Sequence, residues 1–348
     1  MNFLPHAEHF VAIDNVAAFP ALLKLRDGTL GAFVYNHPSH VRGPASGVEM
    51  WASADGAPWE RRGLVSSGRT AVEIHCNHAV GINPDGELIA IVGRYRAPVD
   101  GGPRGFDPPV IGLSSDAGRS WRIVGELASP IPDQIVVPFG NIDCNPTGVM
   151  TLSVYCSPSA GSGAEDSSNA ALVMRSVDGG RTWSDASVIE PTNHNETAVL
   201  RLKNGRWLSA ARTVNCDHPA GNDGQIAFWR ARLDLFESSE DGRHWSQTAR
   251  LTFPGQHPAH LLELKDGRIL LTFGSRMPQE MGVQLRVSED GGTTWSAPSI
   301  LVNGLESPDC GYPATAEHDD GSLLTVYYAA NAPWHRRYHM GAVRYRVE

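Results

Sequence analysis

Five tryptophans at positions 59, 121, 183, 245 and 295 stand 62, 62, 62 and 50 residues apart, and each closes a near copy of one short phrase. The clearest copy is SVDGGRTW, from Ser176 to Trp183; the others are SSDAGRSW from Ser114, SSEDGRHW from Ser238, SEDGGTTW from Ser288 and the shorter SADGAPW from Ser53. Self-similarity at a nearly fixed period is the signature of a repeat architecture, whose units bury their apolar faces only against neighbours. Within the octet the acidic side chain accepts from backbone N–H groups just ahead of it and the fifth-position glycine takes a positive φ, so the segment favours a tight turn. The tryptophan then offers a large apolar plate for repeated sheets to bury between them.

A second phrase precedes each octet: two apolar runs joined by a glycine turn. Its copies are FPALLKLRDGTLGAFVY from Phe19, HAVGINPDGELIAIVG from His78, GNIDCNPTGVMTLSVY from Gly140, ETAVLRLKNGRWLSAAR from Glu196, HPAHLLELKDGRILLTFG from His257 and GYPATAEHDDGSLLTVYY from Gly311. Asp-Gly or Asn-Gly between β-rich runs marks a hairpin. Each hairpin supplies two inner strands and the flanks of each octet two outer ones, so a unit of about 60 residues becomes a four-stranded antiparallel blade. The expected fold is all-β, a six-bladed β-propeller whose sixth blade has no octet, with HMGAVRYRVE at the C-terminus as a strand that finishes or closes the ring. The repeat occupies residues 1–348 as one expected domain.

The remaining composition narrows partners. A net charge of −9 without a basic run gives no footprint for nucleic acid or an anionic membrane, and no stretch approaches a membrane span. MNFLPHAEHF does not read as a leader, so the cytoplasm is the default expectation, with a trimmed signal peptide as the secreted or periplasmic alternative. The five cysteines, at 76, 144, 156, 216 and 310, show neither a disulfide framework nor zinc spacing. His75 with His78, and His257 with His260, stand three apart, a spacing suited to one helix face and not to a strand, so no metal is expected. No cofactor motif is present.

The octets resemble Asp-boxes, the S-x-D-x-G-x-T-W repeats of the sialidase (neuraminidase) superfamily, and the resemblance covers nearly the whole chain. Asp-boxes also occur in other glycan-active and in purely binding propellers, so function is argued from the site. Glu196 and Arg212, 16 residues apart around LKNGRWLSAAR, resemble the sialidase Glu that activates the nucleophile and one arginine of the carboxylate-binding triad. Tyr312, in Asp309-Cys-Gly-Tyr312-Pro, resembles the nucleophilic tyrosine, a neutral group suited to a sugar whose anomeric carbon bears a carboxylate. The chain departs from the pattern elsewhere. Phe19-Pro20-Ala21 lacks the first triad arginine, and Arg276 is the nearest candidate for the third. The acid/base Asp has no counterpart in Tyr35-Asn36-His37-Pro-Ser-His40-Val-Arg42, where His37 or His40 takes its place, since histidine transfers protons near neutral pH. Asn36, Arg42, Asn77, His78, Arg94, Asn195, His257 and Asp309 complete the expected substrate-binding mouth.

The resemblance implies a glycoside hydrolase releasing a terminal acidic sugar, with the incomplete arginine triad leaving its identity open. Two alternatives stand beside it: a polysaccharide lyase acting next to a uronic acid, in which an arginine neutralises the carboxylate and Tyr or His moves the proton, and a propeller that binds glycans without turnover.

Overall fold

The computed structural model describes residues 2–3, 6–15, 18–39, 43, 46–98, 105–158, 168–214, 227–239 and 241–347. Its strands form six four-stranded antiparallel blades. In chain order from the axis outward, the first holds Ala18–Lys24, Leu30–Tyr35, Gly47–Ser53 and Glu60–Ser67, and the second Glu73–Ile82, Leu88–Arg96, Gly105–Ser114 and Arg122–Glu126. The third holds Gln134–Cys144, Met150–Pro158, Ala170–Ser176 and Asp185–Glu190, and the fourth His194–Arg201, Trp207–Thr213, Leu233–Ser238 and Ser246–Arg250. Gln256–Glu263, Ile269–Ser275, Gly282–Ser288 and Ser299–Val302 make the fifth. In the sixth, Cys310–Glu317, Leu323–Ala329 and His339–Tyr345 are completed by Glu8–Asp14 from the N-terminus. The C-terminal run is thus a third strand, and the chain's two ends meet in one blade. Neighbouring innermost strands touch all round the ring, the sixth against the first.

The core is divided among the seams between blades. Trp183 of the third blade packs with Ile89 and Ile91 of the second, Trp59 of the first with Leu324 and Val326 of the sixth, and Trp295 of the fifth with Leu208 and Ala210 of the fourth. In the octet around Trp183, Asp178 accepts from the Thr182 N–H at 2.9 Å, the Ser176 hydroxyl accepts from the Gly180 N–H at 3.0 Å, and the indole N–H donates to the Gly180 carbonyl at 2.9 Å. Gly180 has φ +86°, and a Cβ there would meet Ile89 Cδ1 at 2.2 Å. The octet is therefore both the turn between a blade's outer strands and the knob that seats it on the preceding blade.

Each innermost strand also carries one irregularity, all at the same end of the ring. The register slips between Ala18 and Ala21, Cys76 and His78, Phe139 and Asp143, His194 and Thr197, Gln256 and Ala259, and Gly311 and Ala314. Proline follows at Pro20, Pro258 and Pro313, where a bulge leaves no ladder hydrogen bond for an N–H to make. Bulges re-aim side chains, and here they turn a ring of residues towards the channel mouth.

Candidate active site

Three of the expected residues meet at that mouth. In the fourth-blade bulge the Asn195 side-chain oxygen accepts the Glu196 N–H at 2.8 Å, fixing the entry to the strand. The Glu196 carboxylate receives Arg212 Nη1 on Oε2 at 2.6 Å and the Tyr312 hydroxyl on Oε1 at 2.5 Å. Arg212 stands on the second strand of the same blade, whereas Tyr312 reaches over from the sixth, so the hydrogen bond bridges blades that are not neighbours. Glu196 and Arg212 are buried, with side chains 4% and 5% exposed, while Tyr312 remains partly open. Arg212 Nε is buried with no hydrogen-bond partner among the described residues, leaving an unused donor beside the carboxylate.

Electrostatics follow from the burial. Desolvation, reinforced by the charge of Glu196, raises the Tyr312 phenol well above its ordinary value, against the pull of Arg212 and Arg276. The phenol is therefore neutral, and it donates its proton in a hydrogen bond to Glu196. Burial works against the charge on Arg212, but the Glu196 carboxylate outweighs it and raises the guanidinium pKa. Tyr312 has φ +50°, in the left-handed region that a bulky residue adopts only when its surroundings hold it there. Phe19 meets its ring edge-on at 5.0 Å, Tyr328 lies at 5.6 Å and Phe139 at 6.3 Å.

The other expected residues have different places. Arg276 is 2% exposed and donates to the carbonyls of His257 and, at 2.8 Å, Cys310, tying the fifth blade to the sixth; its fork is engaged by backbone and is not presented to a substrate carboxylate. His257 takes part through that carbonyl, its side chain fully buried. Asp309 is half-buried, and its two oxygens accept the hydroxyls of Tyr328, at 2.6 Å, and Tyr338. Arg94 binds the Pro108 carbonyl at 2.7 Å and pairs with Glu126 on the second blade's own outer strands, away from Glu196. Asn36 caps a strand end, its side-chain oxygen accepting the Gly47 N–H at 2.8 Å. His37 stacks on Tyr35 at 6.0 Å with Nδ1 close to the Ser39 carbonyl. His40 and Arg42 lie outside the described residues. Asn77 and His78 line the channel cavity just inside the mouth; Asn77 accepts from the Tyr95 hydroxyl at 2.9 Å, and burial lowers His78 to about 4. Among the described residues no three His, Cys, Asp or Glu side chains converge as metal ligands.

The structure adds contacts that the sequence reading did not assign. Phe19 and Phe139 wall Tyr312, Tyr338 binds Asp309, and Asn141 and His260 face each other across the channel at 3.4 Å. Tyr155, whose phenol acts electrostatically on Arg212, was legible: the six hairpin phrases end at Tyr35, Gly93, Tyr155, Arg212, Gly274 and Tyr328, equivalent positions at the mouth end of six second strands.

A six-bladed ring of Asp-box blades whose bulged inner strands converge on a carboxylate, a guanidinium and a phenol defines the class of molecule. Residues 45–326 match the family described as BNR repeat-like domain, and the chain belongs to that family. No curated protein matches it. Among solved structures it is similar to a protein of unknown function from Dyadobacter fermentans (20% identity, TM-score 0.80, covering 99% of this chain and 100% of that one). It is also similar to Trypanosoma rangeli sialidase in complex with sialic acid (16% identity, TM-score 0.72, 98% of this chain and 59% of that one) and to a Hadza microbial sialidase (16% identity, TM-score 0.71, 95% and 66%). This chain thus spans about three fifths of the T. rangeli sialidase, and at these identities the likeness is one of fold.

Proposed function

We propose that this protein is a glycoside hydrolase of sialidase type that releases a terminal acidic sugar from a glycan. One observation carries the reading: the Tyr312 hydroxyl donates to a Glu196 carboxylate that Arg212 also holds, at the mouth of the channel. Tyr312 attacks the anomeric carbon as its proton passes to Glu196 Oε1, and the glycosidic C–O bond breaks. The leaving oxygen takes a proton from a histidine of the loop after Tyr35, His37 or His40. Water then attacks the same carbon and gives its proton to that histidine, while Tyr312 departs and recovers its proton from Glu196. Arg212, whose Nη1 holds Glu196, supplies the positive charge for the substrate carboxylate. Because Arg212 and Tyr312 share one carboxylate, this charge lies near the attacking oxygen, as a sugar with its carboxylate on the anomeric carbon requires. The T. rangeli enzyme, similar in fold, is described with sialic acid bound.

The test is a panel of aryl sialosides, aryl hexuronides and acidic polysaccharides, read for released aryl alcohol, reducing ends and ultraviolet absorbance together. Release without new absorbance is expected, reduced on the order of 10²–10⁴-fold in Glu196→Gln. With Arg276 engaged by carbonyls, Arg212 is the arginine left beside Glu196 among the described residues, which favours a lyase as second reading: Tyr312, its own proton passed to Glu196, would take the proton beside a uronate carboxylate and hand it to the leaving oxygen as the C–O bond breaks. New absorbance from a C=C bond would establish it. Binding that survives Glu196→Gln with no turnover anywhere would make the site purely a binding one.

A further inference from the structure

Asp309 stands three residues before Tyr312, and its carboxylate is held by phenols. Tyr328 comes from the second strand of the sixth blade and donates at 2.6 Å; Tyr338 comes from the loop that follows and takes the other oxygen. The two rings lie nearly parallel, 5° apart in plane with centroids 6.4 Å apart. Tyr328 continues the stack inward, 5.6 Å from Tyr312 and 5.7 Å from Phe19, which itself packs on Tyr312. One carboxylate therefore clamps the aromatic wall behind the phenol that touches Glu196.

The clamp is anchored from outside as well. Arg336 pairs with Glu306, and His335 and Arg337 both reach Asp14 on the N-terminal strand, so the loop bearing Tyr338 is pinned at three points. Tyr312 needs such support, since a bulky residue holds a left-handed backbone only where its surroundings fix it. We infer that Asp309 is a positioning residue, which locks Tyr328 and Tyr338 behind Tyr312 and so keeps the Tyr312 hydroxyl on Glu196. The inference rests on the reading of Tyr312 as the reacting group, and its test includes a readout free of turnover.

With a glycoside that the wild type hydrolyses, Asp309→Asn is expected to lower kcat about 10–100-fold, the effect of losing charge-assisted hydrogen bonds, with KM nearly unchanged. Tyr338→Phe, which keeps the ring, should lower it less, and Asp309→Glu should restore part of the loss. In a Tyr312→Phe background, Asp309→Asn should change the residual rate no further. A raised KM with kcat intact would make Asp309 a substrate contact, and an equal loss with and without Tyr312 would make its role one of general stability; either overturns the inference. Independently, with carbon-13-labelled tyrosine and the Tyr312 ring signal assigned through Tyr312→Phe, Asp309→Asn should shift or broaden that signal. An unmoved signal overturns the inference even in an active enzyme, whereas a moved signal in a protein that turns over no glycoside leaves the clamp standing and removes the hydrolase reading.

Discussion

Glu196 holds a buried cation with one oxygen and a phenol with the other, so its stability and chemical roles are separable by substitution. Arg212→Met leaves the carboxylate buried without its partner, a change that costs about 3–5 kcal/mol, and is expected to lower the urea midpoint as well as activity. Tyr312→Phe removes only the hydroxyl, leaves Glu196 paired with Arg212, and should cost about 1–2 kcal/mol, a smaller fall in the midpoint. Deeper in the channel, burial holds His78 and His260 at about 4, below the 6.5 of an unfolded histidine. Between those values the unfolded chain binds the additional protons, so the stability from these histidines is complete above pH 6.5 and is lost as pH falls towards 4. The loss is on the order of 2–3 kcal/mol for each. Urea midpoints between pH 7 and 4 should fall steeply, less so in His260→Gln; a flat profile would show that neither histidine is buried neutral. The octet carboxylates act in a lower window, since hydrogen bonds from Ser120 and Thr294 hold Asp116 and Asp290 at about 2.

The octet solves the same packing problem in the second, third and fifth blades. Gly118 sits over Met50, Gly180 over Ile89 and Gly292 over Leu208, each on the blade before, and an added Cβ would approach those side chains to 2.1, 2.2 and 2.8 Å. Hairpin glycines differ: Gly205 has φ +89° but nothing within 4 Å of an added Cβ. Gly205→Ala should therefore cost only the backbone term, about 1 kcal/mol, and Gly180→Ala that term plus overpacking, about 2–4 kcal/mol, as read from urea denaturation. Equal losses would mean that the octet is a turn and not a seat. These elements were legible because the turn and the seat draw on the same few residues, which repeat at one period. The bulges were less so: Phe19-Pro20, His257-Pro258 and Tyr312-Pro313 share a pattern, but the blades with Asn77, Gly140 and Glu196 do not, because a bulge needs only a missing ladder bond and several residue types supply one. Glu196, Arg212 and Tyr312 could be named because each matches a position of the sialidase pattern, and the structure brings the three together. The partners of Asp309 and Arg276 were not legible, because they are phenols and backbone carbonyls from other strands, and sequence spacing carries no record of such partners.

A ring built from one repeated unit must still join its ends, and here the joining also bears on the site. With no octet in the sixth blade, the seam between the fifth and sixth lacks the glycine seat, and a cavity of ≈ 910 Å³ opens there beside Trp295, Leu285, Tyr345 and His6. The N-terminal segment crosses this seam: Asn2–Phe3 pairs in parallel with Ser299–Ile300 at the edge of the fifth blade, and Glu8–Asp14 pairs antiparallel with His339–Tyr345 of the sixth. From the sequence alone the closing strand was sought at the C-terminus, because an isolated run such as EHFVAID has no hairpin partner nearby to reveal it. Removing residues 1–15 would leave His339–Tyr345 as an open edge, expose apolar surface around Ile13, and take Asp14 away from His335 and Arg337. The melting temperature should then fall on the order of 10 °C, at about 2 °C per kcal/mol for a chain of this size. Removing only residues 1–6 spares the closing strand and should cost a small part of that. Because Asp14 anchors the loop that carries Tyr338, the longer deletion should also lower kcat below the melting transition, with KM little changed. A deletion that lowers the melting temperature and leaves kcat intact would separate ring closure from the site.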